Sequence, residues 1–418
     1  MDLVYANDFF LRGSTALSYL ETNGVKIDRA YFDNFAEDVD KDMAKAQKVL
    51  TEHEYAEEYL RRIGKPVNLT SNAELKVMLF DIAGILPLSH TDKGSAQVND
   101  GLFEWMDGNE DPAINEFGSN IRKFKNMMKL KGTYIDGMKR YIDPNDFLHP
   151  TYNLHVARTY RSSCDSPNLQ NIPKRNEYMA RIRKGFVPRF DLLVDSDYKG
   201  AEVVVQAMLA QDKILIEQLA AGYDMHRYWA AKLYKKSEDY VSKLERYKTK
   251  NGFFFPELYG SYYGSIAKNM DMPEDHVRSV EHEFYEMYYG IRAWQSQMLK
   301  FYNAHGFIET PLGFRRYGPL SQNQVVNTPI QATAFHCLLD TLIELTEAME
   351  HYKFTSLPVL QIHDSITFDA DEHEVLNLIE LANELATDKP YWKFTKGVPL
   401  KVDWSKGPNF FDLEDVTA

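Results

Sequence analysis

An α+β fold is predicted, on three observations. Residues 201–305 carry helical periodicity over most of their length, while Leu192-Leu193-Val194 reads as a short, fully buried strand. Downstream, "VLQIHDSITF" over 359–368 sets the pair His363-Asp364 between two apolar, β-branched runs, the pattern of a hairpin with that pair at its tip. Strands this far apart in sequence, with helices between them, can meet in one sheet. A chain of 418 residues exceeds one core of ordinary size, so two or three lobes are expected.

The elements follow in order. Residues 14–62 have helical character, with "LETNGVKID" as a turn between a first helix and a long, acidic second one. Pro, Gly, Ser and Asn punctuate residues 84–113, a loop-rich stretch expected to separate lobes. Basic helical sequence runs to about 140, and residues 147–198 are mixed. The helical region 201–305 is broken by "NGFFFPELYG", where Pro256 should kink the chain. The last 85 residues return to helix, then hairpin, then a short strand in "PLKVDWSKG". There is no internal repeat and no low-complexity tract.

Composition narrows the class. Hydrophobic residues make up 44% and aromatics 13%, enough for a well-buried interior, but no run of 18 apolar residues exists to span a membrane. "MDLVYANDFF" has neither the basic start nor the apolar core of a signal peptide, so a cytoplasmic protein is expected. Cys164 and Cys337, the two cysteines, suit a reducing compartment and are too few for a disulfide framework or a cysteine zinc site. The formal charge of −13 speaks against nucleic-acid binding on average, but the average hides an asymmetry. Residues 121–190 hold 15 Lys or Arg and 5 Asp or Glu, a local +10, leaving −23 elsewhere. Phosphate contact and a solvated helix face explain that basic stretch equally well.

Three segments carry candidate chemistry. Asp364 alone is an ordinary turn acid. Asp197, where "LLVDSDYKGAE" runs from strand to helix, alone is an ordinary helix cap. If the two strands are sheet neighbours, the acids converge and can share divalent cations, with Asp195, two residues earlier on the same face, as a rival ligand. In "RYKTKNGFFFPELYGS", Arg246 and Lys250 are four residues apart and share a helix face suited to gripping a triphosphate. Phe253, Phe254, Phe255 and Tyr259 offer a base-stacking platform, although a core-facing stripe with two surface cations reads the same way.

Together these segments resemble family A DNA polymerases, the DNA polymerase I type, in a phage-like version. "TYRSSCDSPNLQNIPKRNEYMARIRKGF", "DYKGAE", "DMHRYWAAKLY", "FYEMYYGIRAW", "GFIETPLGFRRY", "NQVVNTPIQATAF" and "QIHDS" follow in family order from about residue 14 to the C-terminus. The resemblance implies a right-hand fold: an N-terminal segment and helical thumb over 1–143, an antiparallel palm over 144–205 and 333–418, and helical fingers over 206–332. It implies that Asp197, the Tyr198 backbone carbonyl and Asp364 hold two Mg²⁺ ions, with Mn²⁺ as a substitute. Lys250 joins the two aspartates as a catalytic residue. Arg246, Lys250, His226, Phe254, Phe255, Tyr259 and Glu202 would contact the incoming dNTP, Glu202 crowding the sugar 2′ position. Arg161, Asn168, Gln170, Asn171, Arg175, Asn327, Gln331 and His363 would contact primer-template DNA. The implied activity is template-directed DNA synthesis, with no membrane partner and no segment left for a proofreading exonuclease domain. This chain departs from the family pattern in three places. Ser365 stands where a glutamate usually follows the aspartate, Lys199-Gly200 replaces small polar and amide residues, and one inserted residue leaves the stacking ring as either Phe254 or Phe255.

Overall fold

The computed structural model describes residues 2–416, apart from 92, 388, 390, 391, 393, 394, 396, 397 and 399. Its centre is the strand Leu192–Tyr198, in which Leu193 and Val194 have no exposed surface. One neighbour is the hairpin of Leu357–Ile362 and Ser365–Ala370, and the other is Val402–Gly407, followed by the edge strand Glu414–Asp415. All pairings in this sheet are antiparallel. The hairpin and the strand in "PLKVDWSKG" therefore stand as the sequence predicted, with His363-Asp364 at the hairpin tip. His363 takes the tight turn at a positive φ of 53°.

The end of the sheet farther along from that tip is fixed by a buried carboxylate. Asp369 accepts from the backbone N–H groups of Arg189 and Phe190, and Arg189 Nε donates to it at 3.2 Å. The same guanidinium donates to the carbonyl of Gly24 at 2.8 Å, so one ion pair joins the sheet to the first helix–strand junction.

Behind the sheet runs the helix Gln322–Tyr352, 20 of whose 31 residues are buried. A helix apolar on nearly every side belongs inside a large core, and this one packs on the helices Leu3–Asn23, Ala201–Ala210, Tyr289–His305 and Val375–Thr387. The division expected between 332 and 333 falls in the middle of it. Residues of the segment 203–291 also form a separate core around Trp229, Phe253, Phe254, Phe284 and Tyr288.

Local detail differs from the sequence reading in three places. The expected turn at "LETNGVKID" contains the strand Val25–Ile27, which pairs with Phe147–Leu148 and Phe186–Val187. Three residues whose partners lie more than 100 positions away leave no local signal. The loop-rich stretch contains the helix Asp100–Asp107, capped by the Asn99 side chain accepting from Leu102 N–H. "NGFFFPELYG" does not interrupt its helix. Lys243–Thr249 continues through a π turn, Lys250–Phe254, into Phe255–Leu258. Phe255 N–H bonds to the Lys250 carbonyl five residues back, and Pro256, which has no N–H to give, falls where the ladder returns to α spacing.

The basic stretch is less bare than its count implies. Arg122, Lys131, Lys139, Arg161, Lys184 and Arg189 are each paired with an acid from outside residues 121–190. Arg183 is buried against the Phe410 ring. Among the described residues, no helix is long and apolar enough to cross a membrane.

Candidate functional site

Strand register brings the two predicted acids together. The Tyr198 N–H donates to the Asp364 carbonyl at 3.1 Å, which fixes the end of the central strand to the hairpin tip. Asp197, Tyr198 and Asp364 line one cavity of about 500 Å³ with Glu202, Lys250 and Phe255. The Tyr198 side chain turns away into the core, where its hydroxyl shares a 2.7 Å hydrogen bond with Thr341 Oγ1.

Asp197 is flanked in register by Ser365 on one neighbouring strand and Asp403 on the other, and directly opposed residues share a sheet face. Burial first, then Asp364 and Asp403, push the Asp197 carboxyl above its ordinary range, against the opposing pull of Lys174 and Lys250. Asp403 and Lys174 are neighbours the sequence reading did not single out. Ser365 Oγ donates to the Ile362 carbonyl and so closes the hairpin turn. Asp195 is buried, accepts a 2.6 Å bond from Thr367 Oγ1, and is pushed up to about 6, chiefly by burial. It does not line the cavity. Among the described residues, no three His, Cys, Asp or Glu side chains are gathered to cage a metal unaided.

Glu202 begins the helix that follows the strand and is ion-paired with Arg161. Burial first, then the charge of Asp364, push its carboxyl above the ordinary range, and Arg161 opposes them. Gln170 is buried. Its amide donates to Ser162 Oγ and Gln361 Oε1, both at 2.9 Å, and Gln361 Nε2 donates to the His363 carbonyl at 2.9 Å. The motif around Gln170 thus braces the hairpin tip from below. Asn168, Asn171 and His363 are exposed. Arg175 is exposed too and lies over the Tyr247 ring at 5.7 Å. Asn327 and Gln331 are half-buried on the long helix, and Asn327 Oδ1 has no hydrogen-bond partner among the described residues.

The π turn separates the two phenylalanines. Phe254 has no exposed surface and packs edge-on to His226 at 4.7 Å and to Phe284 at 5.7 Å. Phe255 faces the cavity, stacked with Tyr259 at 5.8 Å and carrying the Lys250 ammonium at 5.5 Å from its ring. Lys250 makes no ion pair among the described residues. Arg246 Nε donates to both oxygens of Asp224, at 2.7 and 3.0 Å. His226 is pulled down to about 4 by burial first, then by Lys250 and Arg246, so its ring is neutral at pH 7, with Nδ1 unpartnered among the described residues.

The sequence model of DNA polymerase family A matches residues 34–412. DNA polymerase I of Bacillus subtilis is 27% identical over 413 residues, 95% of this chain and 44% of that polymerase. The thermostable DNA polymerase I of Thermus aquaticus is 27% identical over 416 residues, 96% of this chain and 48% of its own length. The chain thus spans less than half the length of these curated relatives. The solved POL domain of Pol1 from M. smegmatis, in complex with DNA primer-template and dNTP, superposes with a TM-score of 0.83 at 25% identity, covering 96% of this chain and 70% of that one.

Proposed function

Because the chain belongs to DNA polymerase family A, with the α+β right-hand fold of its polymerase domain, we propose that it extends a DNA primer on a template by phosphoryl transfer from dNTPs. The carrying observation is the meeting of Asp197 and Asp364, 167 positions apart, in the lining of one cavity with Lys250 and Phe255. The thumb, palm and fingers follow the divisions 1–143, 144–205 with 333–418, and 206–332, with the long helix passing from fingers to palm.

The donors suit a hard divalent cation. Two carboxylates and the Tyr198 carbonyl offer only oxygen, and the charge on Asp197, disfavoured first by burial and then by Asp364 and Asp403, is one that a bound cation would favour. Asp197, Tyr198 and Asp364 would hold two Mg²⁺ ions, or Mn²⁺ in their place, which when bound supply charge neutralisation at the phosphates and a more acidic primer hydroxyl. Glu202 lines the same cavity but is ion-paired with Arg161, so substrate and water oxygens would complete the coordination. Lys250 and Arg246 neutralise the triphosphate, and neutral His226 gives it a hydrogen bond rather than a charge. Phe255 stacks on the base. Arg161, Asn168, Asn171, Arg175, Asn327, Gln331 and His363 face the primer-template, and Gln170 positions the catalytic hairpin through Gln361.

The first experiment is primer extension with Mg²⁺, each dNTP alone, and a lane without dNTP. Template-directed addition of single nucleotides is expected; primer shortening in the last lane would point to a nuclease instead. Two variants refine the site. Glu202→Ala should lose about tenfold or more of the discrimination against ribonucleotides, as expected when one steric contact is removed from a sugar pocket. An unchanged dNTP-to-NTP ratio of kcat/KM would remove Glu202 from that role. The phenylalanines should split cleanly. Phe254→Ala should cost about 3 to 5 kcal/mol in denaturant unfolding, a large buried ring being lost. Phe255→Ala should leave unfolding nearly unchanged and raise KM for dNTP. Reversed phenotypes would exchange their roles.

A further inference from the structure

Glu257, on the helical segment that carries Phe255, is held where a carboxylate is least at home. It has no exposed surface, and neither carboxyl oxygen has a hydrogen-bond partner among the described residues. Its backbone carbonyl, in contrast, is well served: the Tyr285 hydroxyl donates to it at 3.0 Å and Gln295 Nε2 at 2.8 Å. The chain is thus pinned at this residue while the side chain stays unsatisfied. An ionised carboxylate cannot be buried unpaired at acceptable cost, so the group keeps its proton. Burial first, then the charge of Glu281, hold it well above its ordinary range, and Tyr285 and Arg292 pull the other way.

An apolar side chain would fill the same place at lower cost, because a buried polar group without partners is destabilising. The position of the acid shows what it can control. Successive helix residues are about 100° apart, so Glu257 points away from Phe255 and Tyr259, which lie two residues to either side of it. Those two rings stack on one another at 5.8 Å and line the catalytic cavity. Any turn of this short segment that carries the carboxyl out of its pocket turns both rings with it. Among the charged neighbours, Glu281 is half-buried and accepts from the Tyr263 N–H at 2.8 Å, and Arg278 lies over the Tyr263 ring at 5.0 Å. Arg292 is exposed, lies over the Tyr285 ring at 4.5 Å, and makes no ion pair among the described residues. It is free to receive an ionised Glu257.

We propose that Glu257 is a positioning residue for the incoming nucleotide: its neutral carboxyl seats the segment Phe255–Leu258 with Phe255 toward the base, and its ionisation, drawn by Arg292, turns the segment and loosens that grip. The inference rests on the reading that Phe255 stacks on the base. Nucleotide binding and protonation of Glu257 are then linked, each favouring the other by the same factor. Below the raised value of the carboxyl the segment is seated and the nucleotide is held. As pH rises through that value the acid ionises, and KM for dNTP rises with it.

The test is extension of a primer-template by the full chain, with KM for dNTP measured from about pH 6 to about pH 9 in the parent and in Glu257→Gln, which keeps the shape and is neutral throughout. KM of the parent should rise about tenfold more over that range than KM of the variant, while kcat follows the same course in both to within about twofold. Parallel KM profiles, or a difference confined to kcat, would overturn the assignment. Arg292→Met should move the rise in KM to higher pH, because the ionised acid loses its counter-charge, and an unmoved rise overturns the pull assigned to Arg292. One readout needs no activity. The infrared difference spectrum of parent and Glu257→Gln in deuterium oxide at neutral pH should contain the carbonyl stretch of one protonated carboxyl. Its absence would mean an ionised acid in the folded chain and would end the proposal whatever the kinetics show. Failure to extend at any pH would sink the polymerase reading. Calorimetric dNTP affinity then takes the place of KM, with the same divergence of about tenfold expected and equal profiles again decisive against Glu257.

Discussion

Replacing Asp364 or Asp197 with alanine is expected to lower the extension rate by about 10³-fold or more, since the charge stabilisation held through these carboxylates is worth several kcal/mol and each 1.36 kcal/mol is tenfold. Stability should move the other way. Asp197 sits above its ordinary range because burial and the neighbouring acids disfavour its charge. Its folded-state value exceeds the unfolded one, so the folded chain holds that proton to higher pH and loses stability as pH rises through the interval between the two. Below the unfolded value both states are protonated and the penalty is absent. Asp197→Asn should therefore melt at the same or a higher temperature than the parent at neutral pH without divalent metal, and the difference should vanish in acid. Loss of both activity and thermal stability at neutral pH would mean that the carboxylate serves the fold. Extension within tenfold of the parent would end the ligand assignment.

Lys250→Ala is expected to lower kcat by about 10²- to 10³-fold, the usual effect of removing one preorganised donor from a site of developing negative charge. Its ammonium is committed to no acid among the described residues, only to the Phe255 face at 5.5 Å, so it is available to phosphate oxygens. Arg246, tied through Nε to Asp224, should matter less to the rate and more to KM. Single-turnover extension at saturating dNTP separates the two, and primer-template affinity should change by no more than about twofold in Lys250→Ala because the contact is to the nucleotide. A variant that lost DNA binding and kept its saturated rate would move Lys250 from the chemistry to the duplex.

The parts of this molecule legible from sequence are those with strong local signals. The hairpin at 357–370 was readable because its β-branched runs and two-residue tip are contiguous, and Asp197 because it closes an apolar strand before a helix. The ordered motifs then joined segments that periodicity alone could not pair. What stayed hidden depends on distant partners. Val25–Ile27 is a strand only because two other segments lie beside it. Asp403 faces the acids only because its strand pairs with Leu192–Tyr198 in a particular register. Gln170 has the polarity of a surface contact, yet it is buried by Gln361, 191 positions away. The charge count over 121–190 overstated the bare cations for the same reason: the acids that neutralise six of them come from elsewhere in the chain.

The widened turn at Lys250–Phe254 has an evolutionary corollary. Each residue of an ordinary helix advances its face by about 100°. One surplus residue stored as a bulge lets the cationic half, Arg246 and Lys250, keep its bearing while the aromatic half advances by one position. Adding or removing one residue in this turn would therefore rotate the aromatic half against the cationic half, and could exchange a hidden ring for a displayed one in a single step.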